Sequence, residues 1–206
     1  LLATPWNFPA AMATRKIGPA LAAGCTVVLK PAQDTPLTAL AIADVLQRAG
    51  VPAGVVNVVV TNPSGPAVAA MMDCGKVRKL SFTGSTKVGS ILLAQAAPRV
   101  INCSMELGGN APFLVFGDAN IDAAVDGAML AKMRNGGAAC TAANRFYVHD
   151  SVLAEFADKL TARMSALVLG DGLDASTTLG PLVSRAEQET VANMVDGALS
   201  RGAKVF

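Results

Sequence analysis

RKLSFTGSTKVGSILLAQAAPRVINCSMEL, residues 78 to 107, decides the fold. Arg78 to Phe82 is predicted to be a strand. Thr83-Gly84 then leads into an amphipathic run, Ser85 to Ala97, that reads as a helix. Val100 to Leu107 alternates polar and apolar residues and reads as a second strand. Strand, helix and strand in this order make a crossover unit, and crossovers join parallel strands.

Working outward toward the start, the same alternation continues. Cys25 to Leu29 is an apolar, β-branched run ended by Lys30-Pro31, predicted to be a buried strand. Thr35 suits an N-cap, Pro36 a first helical turn and Gly50 a stop, so a helix is expected through Ala49. Val55 to Val60 reads as another strand, and Pro66 to Met72 as a helix. Alternating strands and helices predict an α/β fold, a Rossmann-like parallel sheet covered on both faces. Ligands of such sheets bind at the carboxyl ends of the strands.

After Gly108-Gly109 the character shifts, and a domain boundary is expected there: residues 1–108 in one domain, 109–206 in another. Pro112 to Phe116 and Arg145 to Val148 read as strands. Ile121 to Met133, Val152 to about Leu167 and Arg185 to Ser200 read as helices. Asn135 to Ala139 is a tight turn of small residues and Gly170 to Pro181 a loop. Leu1 to Pro5 reads as interior sequence and Gly202 to Phe206 as a strand just begun, so a longer polypeptide is expected.

Composition excludes some classes. The chain has 206 residues, 52% hydrophobic and 16% charged, which suits a packed core and not a disordered chain. Net charge is only +2, and no basic patch interleaves with aromatics, so nucleic acid is not an expected partner. No apolar run is long enough to span a bilayer, and Leu1 to Trp6 does not read as a signal peptide. Cys25, Cys74, Cys103 and Cys140 are widely spaced without a CxxC, so neither a zinc site nor a disulfide framework is expected. A reducing cytoplasm is the expected location.

Five short motifs carry chemistry, and each has an ordinary structural reading beside the functional one. In Asn135-Gly136-Gly137-Ala138-Ala139-Cys140, small residues leave the sulfur approachable. A cysteine at a helix N-terminus would also gain thiolate character, but buried cysteines are usually inert. In Met105-Glu106-Leu107-Gly108-Gly109-Asn110, a carboxylate at a strand end precedes two glycines and can accept a proton. Trp6-Asn7-Phe8-Pro9 holds a side-chain amide that could serve a developing oxyanion. Phe82-Thr83-Gly84-Ser85-Thr86 places free amides at a helix start, an anion site or simply a cap. Its glycine spacing resembles a P-loop, but Ser90 stands where the P-loop lysine must be. Lys30 ends a strand where a cofactor would lie. Two other patterns carry less. Asp118 to Asp122 resembles a calcium loop, but Ala123 and Met129 break it and helix capping explains it better. His149, the sole histidine, has no evident orienting partner.

Taken in register, Trp6-Asn7-Phe8-Pro9, Lys30-Pro31-Ala32, Phe82 to Thr86, Glu106 to Gly109 and Cys140 resemble the aldehyde dehydrogenase superfamily along most of the chain. The resemblance implies a fold: a cofactor-binding part in residues 1–108 and the start of an α/β catalytic domain in 109–206. It implies roles too. Cys140 is then the nucleophile and Glu106 the general base. Asn7 serves the oxyanion with the Cys140 amide. Lys30, Gln33, Gly84, Ser85, Trp6 and Leu107 face NAD or NADP. No metal is implied, and the full-length protein is expected to be a homo-oligomer, dimer or tetramer.

A finer resemblance concerns substrate. Met12 to Lys16 and Lys132 to Asn135 are similar to the succinate-semialdehyde dehydrogenase branch, where arginines at the positions of Arg15 and Arg134 hold the substrate's far carboxylate. Guanidinium suits that bidentate contact. The chain departs from the pattern at Gln33, where NAD-preferring members carry a glutamate, so NADP is admitted beside NAD. Thr141-Ala142 lacks the second cysteine of some members, and Ala138 replaces a common glutamine. The expected activity is oxidation of succinate semialdehyde to succinate. The alternatives are a broad-specificity aldehyde dehydrogenase and an inactive fragment that binds nucleotide or partner subunits.

Overall fold

A computed structural model describes residues 1–205. They form two compact units, residues 1–108 and residues 109–205. In the first, β1 (Leu2–Ala3), α1 (Pro9–Ala22), β2 (Val27–Lys30), α2 (Pro36–Arg48), β3 (Val56–Val58), α3 (Ser64–Asp73), β4 (Lys79–Gly84), α4 (Thr86–Ala96) and β5 (Asn102–Leu107) follow one another. In the second come β6 (Ala111–Val115), α5 (Ile121–Met133), β7 (Ala143–Val148), α6 (Leu153–Ser165) and α7 (Arg185–Leu199). Among the described residues no helix is long and apolar enough to cross a membrane.

The first unit is a five-stranded parallel sheet in the order β3-β2-β1-β4-β5. Its central strand has only two residues and carries no periodicity, which is why the sequence patterns miss it. Pairing extends past it: the Ser81 amide donates to the Leu1 carbonyl and the Thr4 amide to that of Lys30. Helix α1 is also missed as an element. It starts at Phe8, a poor N-cap without a side-chain capping bond, and holds Pro19 in its interior. A proline there removes one helical hydrogen bond. Strand alternation sends Leu2, Val27 and Leu29 to one face, against Ala13, Ile17 and Ala39 of α1 and α2. Ala3, Leu80 and Phe82 go to the other, against Val68, Met72, Leu92 and Ala96 of α3 and α4. Strand order reverses between β1 and β4, so the carboxyl ends there form the natural ligand crevice.

One local expectation is corrected in this unit. Thr35 sits at the N-cap of α2, yet its side chain makes no capping bond and its buried hydroxyl has no hydrogen-bond partner among the described residues. The helix instead relies on Pro36, whose fixed φ suits the first turn. At its far end Gly50 adopts φ 89°, and the amides of Gly50 and Val51 close the last turn.

The second unit pairs β6 and β7 in parallel, with a register shift between Ala111 and Pro112. Phe113, Val115, Phe146 and Val148 pack under α5 and α6 against Val125, Ala128 and Phe156. Lys159–Asp122 and Arg163–Asp126 ion pairs, each 2.6 Å, tie α6 to α5. Asn120 caps α5 through Oδ1, which accepts from the Ala123 amide at 3.0 Å. The Asp118–Asp122 run is thus spent on capping. The strand expected at Gly202 to Phe206 is not formed over its described part. Gly202 takes φ 92°, and the amides of Gly202 and Ala203 bond back to Leu199 and Ala198, ending α7 as a turn. Phe206 lies outside the described residues.

Leu29 has no exposed surface and sits under α1 and α2. Leu29→Ala should therefore cost the full-length protein about 2–5 kcal/mol, read as a lowered denaturant midpoint with the slope unchanged.

Candidate active site

The carboxyl ends of all five parallel strands lie at one edge of the first unit. After β1 the chain bends through Trp6 and Asn7, both half-buried, before α1 begins and the Met12 amide bonds to the Phe8 carbonyl at 2.9 Å. Lys30 ends β2 and is 9% exposed. Burial pushes its ammonium below the ordinary 10.5, and the Asp34 carboxylate partly opposes that shift. Among the described residues its ammonium has no hydrogen-bond or ion-pair partner. A covered cation of this kind suits hydroxyl or anionic groups of a ligand. Gln33 is exposed nearby in sequence.

Ser85 caps α4, its Oγ accepting from the Val88 amide at 3.3 Å. The remaining first-turn amides carry the helix's positive end. Two of the expected cofactor positions have packing reasons of their own. A Cβ at Gly84 would lie 2.5 Å from the Phe82 ring, and one at Gly89 would lie 2.7 Å from Leu107 Cδ2. Gly84 therefore makes room for Phe82, and Leu107 lies over Gly89 on the α4 side.

The α1 side of β4 and β5 has a different character. Parallel register sets Ser81 beside Ser104 and Thr83 beside Glu106. Thr83 Oγ1 is buried without a hydrogen-bond partner among the described residues. Lys16, only 7% exposed, reaches from α1 and donates from Nζ to Ser81 Oγ at 2.8 Å. Burial first, then the positive charge of Arg15, holds the Lys16 ammonium below 10.5, while Glu106 opposes the shift and Lys79 adds to it. Arg15 Nη2 stands 3.7 Å from Glu106 Oε1, with the two side chains 52% and 55% exposed. That separation is too long for a hydrogen bond, and such an exposed pair contributes roughly 0–1 kcal/mol.

Arg15 and Glu106 are thus brought together, 91 positions apart in sequence. Lys16 is the residue that reading the sequence missed as a site member. One signal could have found it: a lysine inside the apolar stripe of Ala13, Ile17 and Ala20, three residues after Ala13.

In the second unit, α5 ends at Met133 and Arg134 opens a short 3₁₀ turn, Arg134–Gly137. Asn135, Gly136 and Gly137 then take φ values of 55°, 64° and 79° in succession. A Cβ at Gly137 would stand 3.1 Å from the Lys132 carbonyl oxygen. The Ala142 amide bonds to the Ala139 carbonyl at 3.0 Å, so Cys140 and Thr141 form the corner of a turn. Cys140 is exposed, and its amide makes no hydrogen bond among the described residues. Gly109 lies against it, with a Cβ there 3.5 Å from the Cys140 carbonyl oxygen.

No helix begins at Cys140: Ala143 already enters β7 and pairs with Ala111, in line with the strand expected after the turn. Arg134 is exposed at the end of α5, six residues before Cys140. His149 proves to be oriented after all. Its Nδ1 lies 2.9 Å from Ser151 Oγ and accepts from the Ser151 amide, capping the turn before α6.

The aldehyde dehydrogenase family model matches residues 1–206, and the chain belongs to that family. It is similar to the NADP(+)-dependent succinate-semialdehyde dehydrogenase of Escherichia coli K12, 54% identical over 202 residues that cover 98% of this chain and 42% of that protein. It is also similar to the glutarate-semialdehyde dehydrogenase of Pseudomonas putida KT2440, 52% identical over 203 residues, with 98% and 42% covered. The crystal structure of succinate-semialdehyde dehydrogenase from Burkholderia pseudomallei superposes with a TM-score of 0.95 at 52% identity, over 100% of this chain and 42% of that one. The chain thus spans less than half the length of the curated relatives it matches.

Two outcomes follow from the local geometry. Gly137→Ala forces a side chain into the left-handed region and toward the Lys132 carbonyl. It should cost about 1–3 kcal/mol and slow alkylation of Cys140 by iodoacetamide, scored by peptide mapping against Cys25 and Cys74. For Lys16 the native amine loses its proton more readily than the unfolded one. The unfolded chain thus binds more protons, and stability from this group rises as pH climbs toward 10.5. The difference in unfolding free energy between wild type and Lys16→Met should accordingly shift in favour of wild type as pH climbs toward 10.5, and a flat difference would refute it.

Proposed function

We propose that the full-length protein, as an aldehyde dehydrogenase family member, oxidises a short aldehyde carrying a far carboxylate to the diacid, with succinate semialdehyde as the foremost substrate and NAD or NADP as acceptor. The observation that carries this reading is the placement of Arg15 on α1 directly beside Glu106. An arginine that meets the general base also meets the pocket that base serves. The relatives named for succinate and glutarate semialdehyde support it, since both of those substrates end in a carboxylate.

Residues 1–108 are read as cofactor-binding and residues 109–206 as nucleophile-bearing. Lys30 and Gln33 would take the adenosine ribose. Ser85 and the first amides of α4 would take the pyrophosphate, and Trp6, Gly84 and Leu107 would line the way. Gln33 offers an amide and no carboxylate, so it does not repel a 2′-phosphate and both cofactors are admitted. When bound, the nicotinamide supplies the hydride acceptor.

Chemistry begins at Cys140. Its thiolate attacks the aldehyde carbon, and the oxyanion that forms accepts hydrogen bonds from the Cys140 amide and the Asn7 side-chain amide. After oxidation the acyl group remains on sulfur as a thioester. Glu106 removes a proton from water, the water oxygen adds to the acyl carbon, and the thiolate leaves. Arg15 and Arg134 hold the far carboxylate throughout. An exposed nucleophilic thiol suits a reducing compartment, and the cytoplasm is the proposed location; assembly as a dimer or tetramer belongs to the same reading.

Cys140→Ser should abolish oxidation of every aldehyde in the full-length protein, and surviving turnover would sink the mechanism. Arg134→Ala should raise KM for succinate semialdehyde roughly ten- to a hundredfold, the size of a lost charge-assisted hydrogen bond. Butanal should be nearly unaffected, and equal effects on both would refute the substrate assignment.

A further inference from the structure

We propose that Asp34 selects the cofactor: its carboxylate disfavours a 2′-phosphate on the adenosine ribose, so the full-length protein takes NAD in preference to NADP. This deepens the cofactor reading given above and rests on its placement of the adenosine ribose at Lys30 and Gln33.

The loop after β2 holds Asp34 beside Lys30. Pro31 and Ala32 are buried, and Pro36 starts α2. Between them the Thr35 amide donates to the Ala32 carbonyl at 3.4 Å, so Gln33 and Asp34 are the two corner residues of a turn. Both are exposed at the carboxyl edge of the sheet. Lys30 is only 9% exposed, and among the described residues its ammonium has no hydrogen-bond or ion-pair partner. The Asp34 carboxylate is close enough to act on that ammonium, opposing the effect of its burial, yet it does not pair with it. Cation and carboxylate thus stand side by side, each with its bonding capacity unspent.

That pair treats the two cofactors differently. A lone covered cation would draw in a phosphate dianion. One carboxylate beside it offsets that attraction and repels the dianion directly. Ribose hydroxyls fit the same pair well, because a hydroxyl accepts from an ammonium and donates to a carboxylate. An acidic residue at the ribose is the general device for favouring the free 2′-hydroxyl. Gln33 carries no charge and cannot serve in that way; Asp34 supplies the carboxylate one residue later. An acid just before a helix N-cap also gains from the positive end of the helix. That gain acts on stability and does not distinguish the two cofactors.

The experiment titrates NAD and NADP into the full-length protein by calorimetry, with no aldehyde present. Wild type should bind NAD roughly tenfold more tightly than NADP at low salt, the effect of one like charge near the surface. Salt screens the exposed Asp34 more than the buried Lys30, so adding it should narrow that gap. Asp34→Asn should tighten NADP roughly tenfold and leave NAD within about twofold. Wild type that binds NADP as tightly as NAD, or a gap that salt leaves unmoved or widens, overturns the proposal, and neither measurement needs a variant. A lowered melting temperature in Asp34→Asn with an unchanged affinity ratio makes the carboxylate a helix-end charge only and overturns it as well. Lys30→Met separates the proposal from the reading beneath it. If that variant weakens both cofactors while Asp34→Asn moves neither, the selection fails and the ribose placement stands. If Lys30→Met weakens neither, the ribose placement fails and the selection with it.

Discussion

Leu2 and Ala3 hydrogen-bond to strands on both sides, and the first unit depends on that pairing. Leu2 lies beside Leu29 and Ser81; Ala3 lies beside Lys30 and Phe82. Two residues thus set the register of β2 against β4. Because side chains alternate, a slip of one position would exchange the two faces of the sheet. The slip would carry Leu2 away from Ala13 and Ile17, and Ser81 away from Lys16. The same pairing creates the reversal of strand order that opens a crevice at the carboxyl edge.

The two faces beside β4 and β5 divide the work. On the α4 side Leu80, Phe82 and Leu107 pack apolar against Leu92, Ala96 and Gly89, with glycines wherever a Cβ would collide. On the α1 side the rows are polar: Ser81, Thr83, Ser104 and Glu106. Burying Lys16 among them is costly in isolation. The hydroxyl of Ser81 and the charge of Glu106 offset part of that cost. A sheet with one dry face and one charged face can be rigid and still hold proton-handling groups at its edge.

In the second unit Cys140, the proposed nucleophile, is displayed by backbone conformation. Three consecutive left-handed residues reverse the chain after α5, which glycine tolerates at two of the three positions. The turn that follows exposes Cys140 on a corner between Ala139 and Thr141.

Much of this was legible in the sequence. Val27 to Lys30, Pro36 to Arg48 and Ile121 to Met133 declare themselves by periodicity, caps and punctuation, because those signals act between near neighbours. The small-residue turn before Cys140 and the glycines after Glu106 are legible for the same reason. The central strand was not, since two residues cannot show a period. Nor was the cluster of Arg15, Lys16, Ser81 and Glu106, whose members meet only across sequence separations such as the 65 positions from Lys16 to Ser81. The sequence by itself determined the alternation of elements and the family's motifs. The tertiary structure alone decided which charges face one another. That depends on strand register, a property of pairing between distant segments that no local pattern encodes.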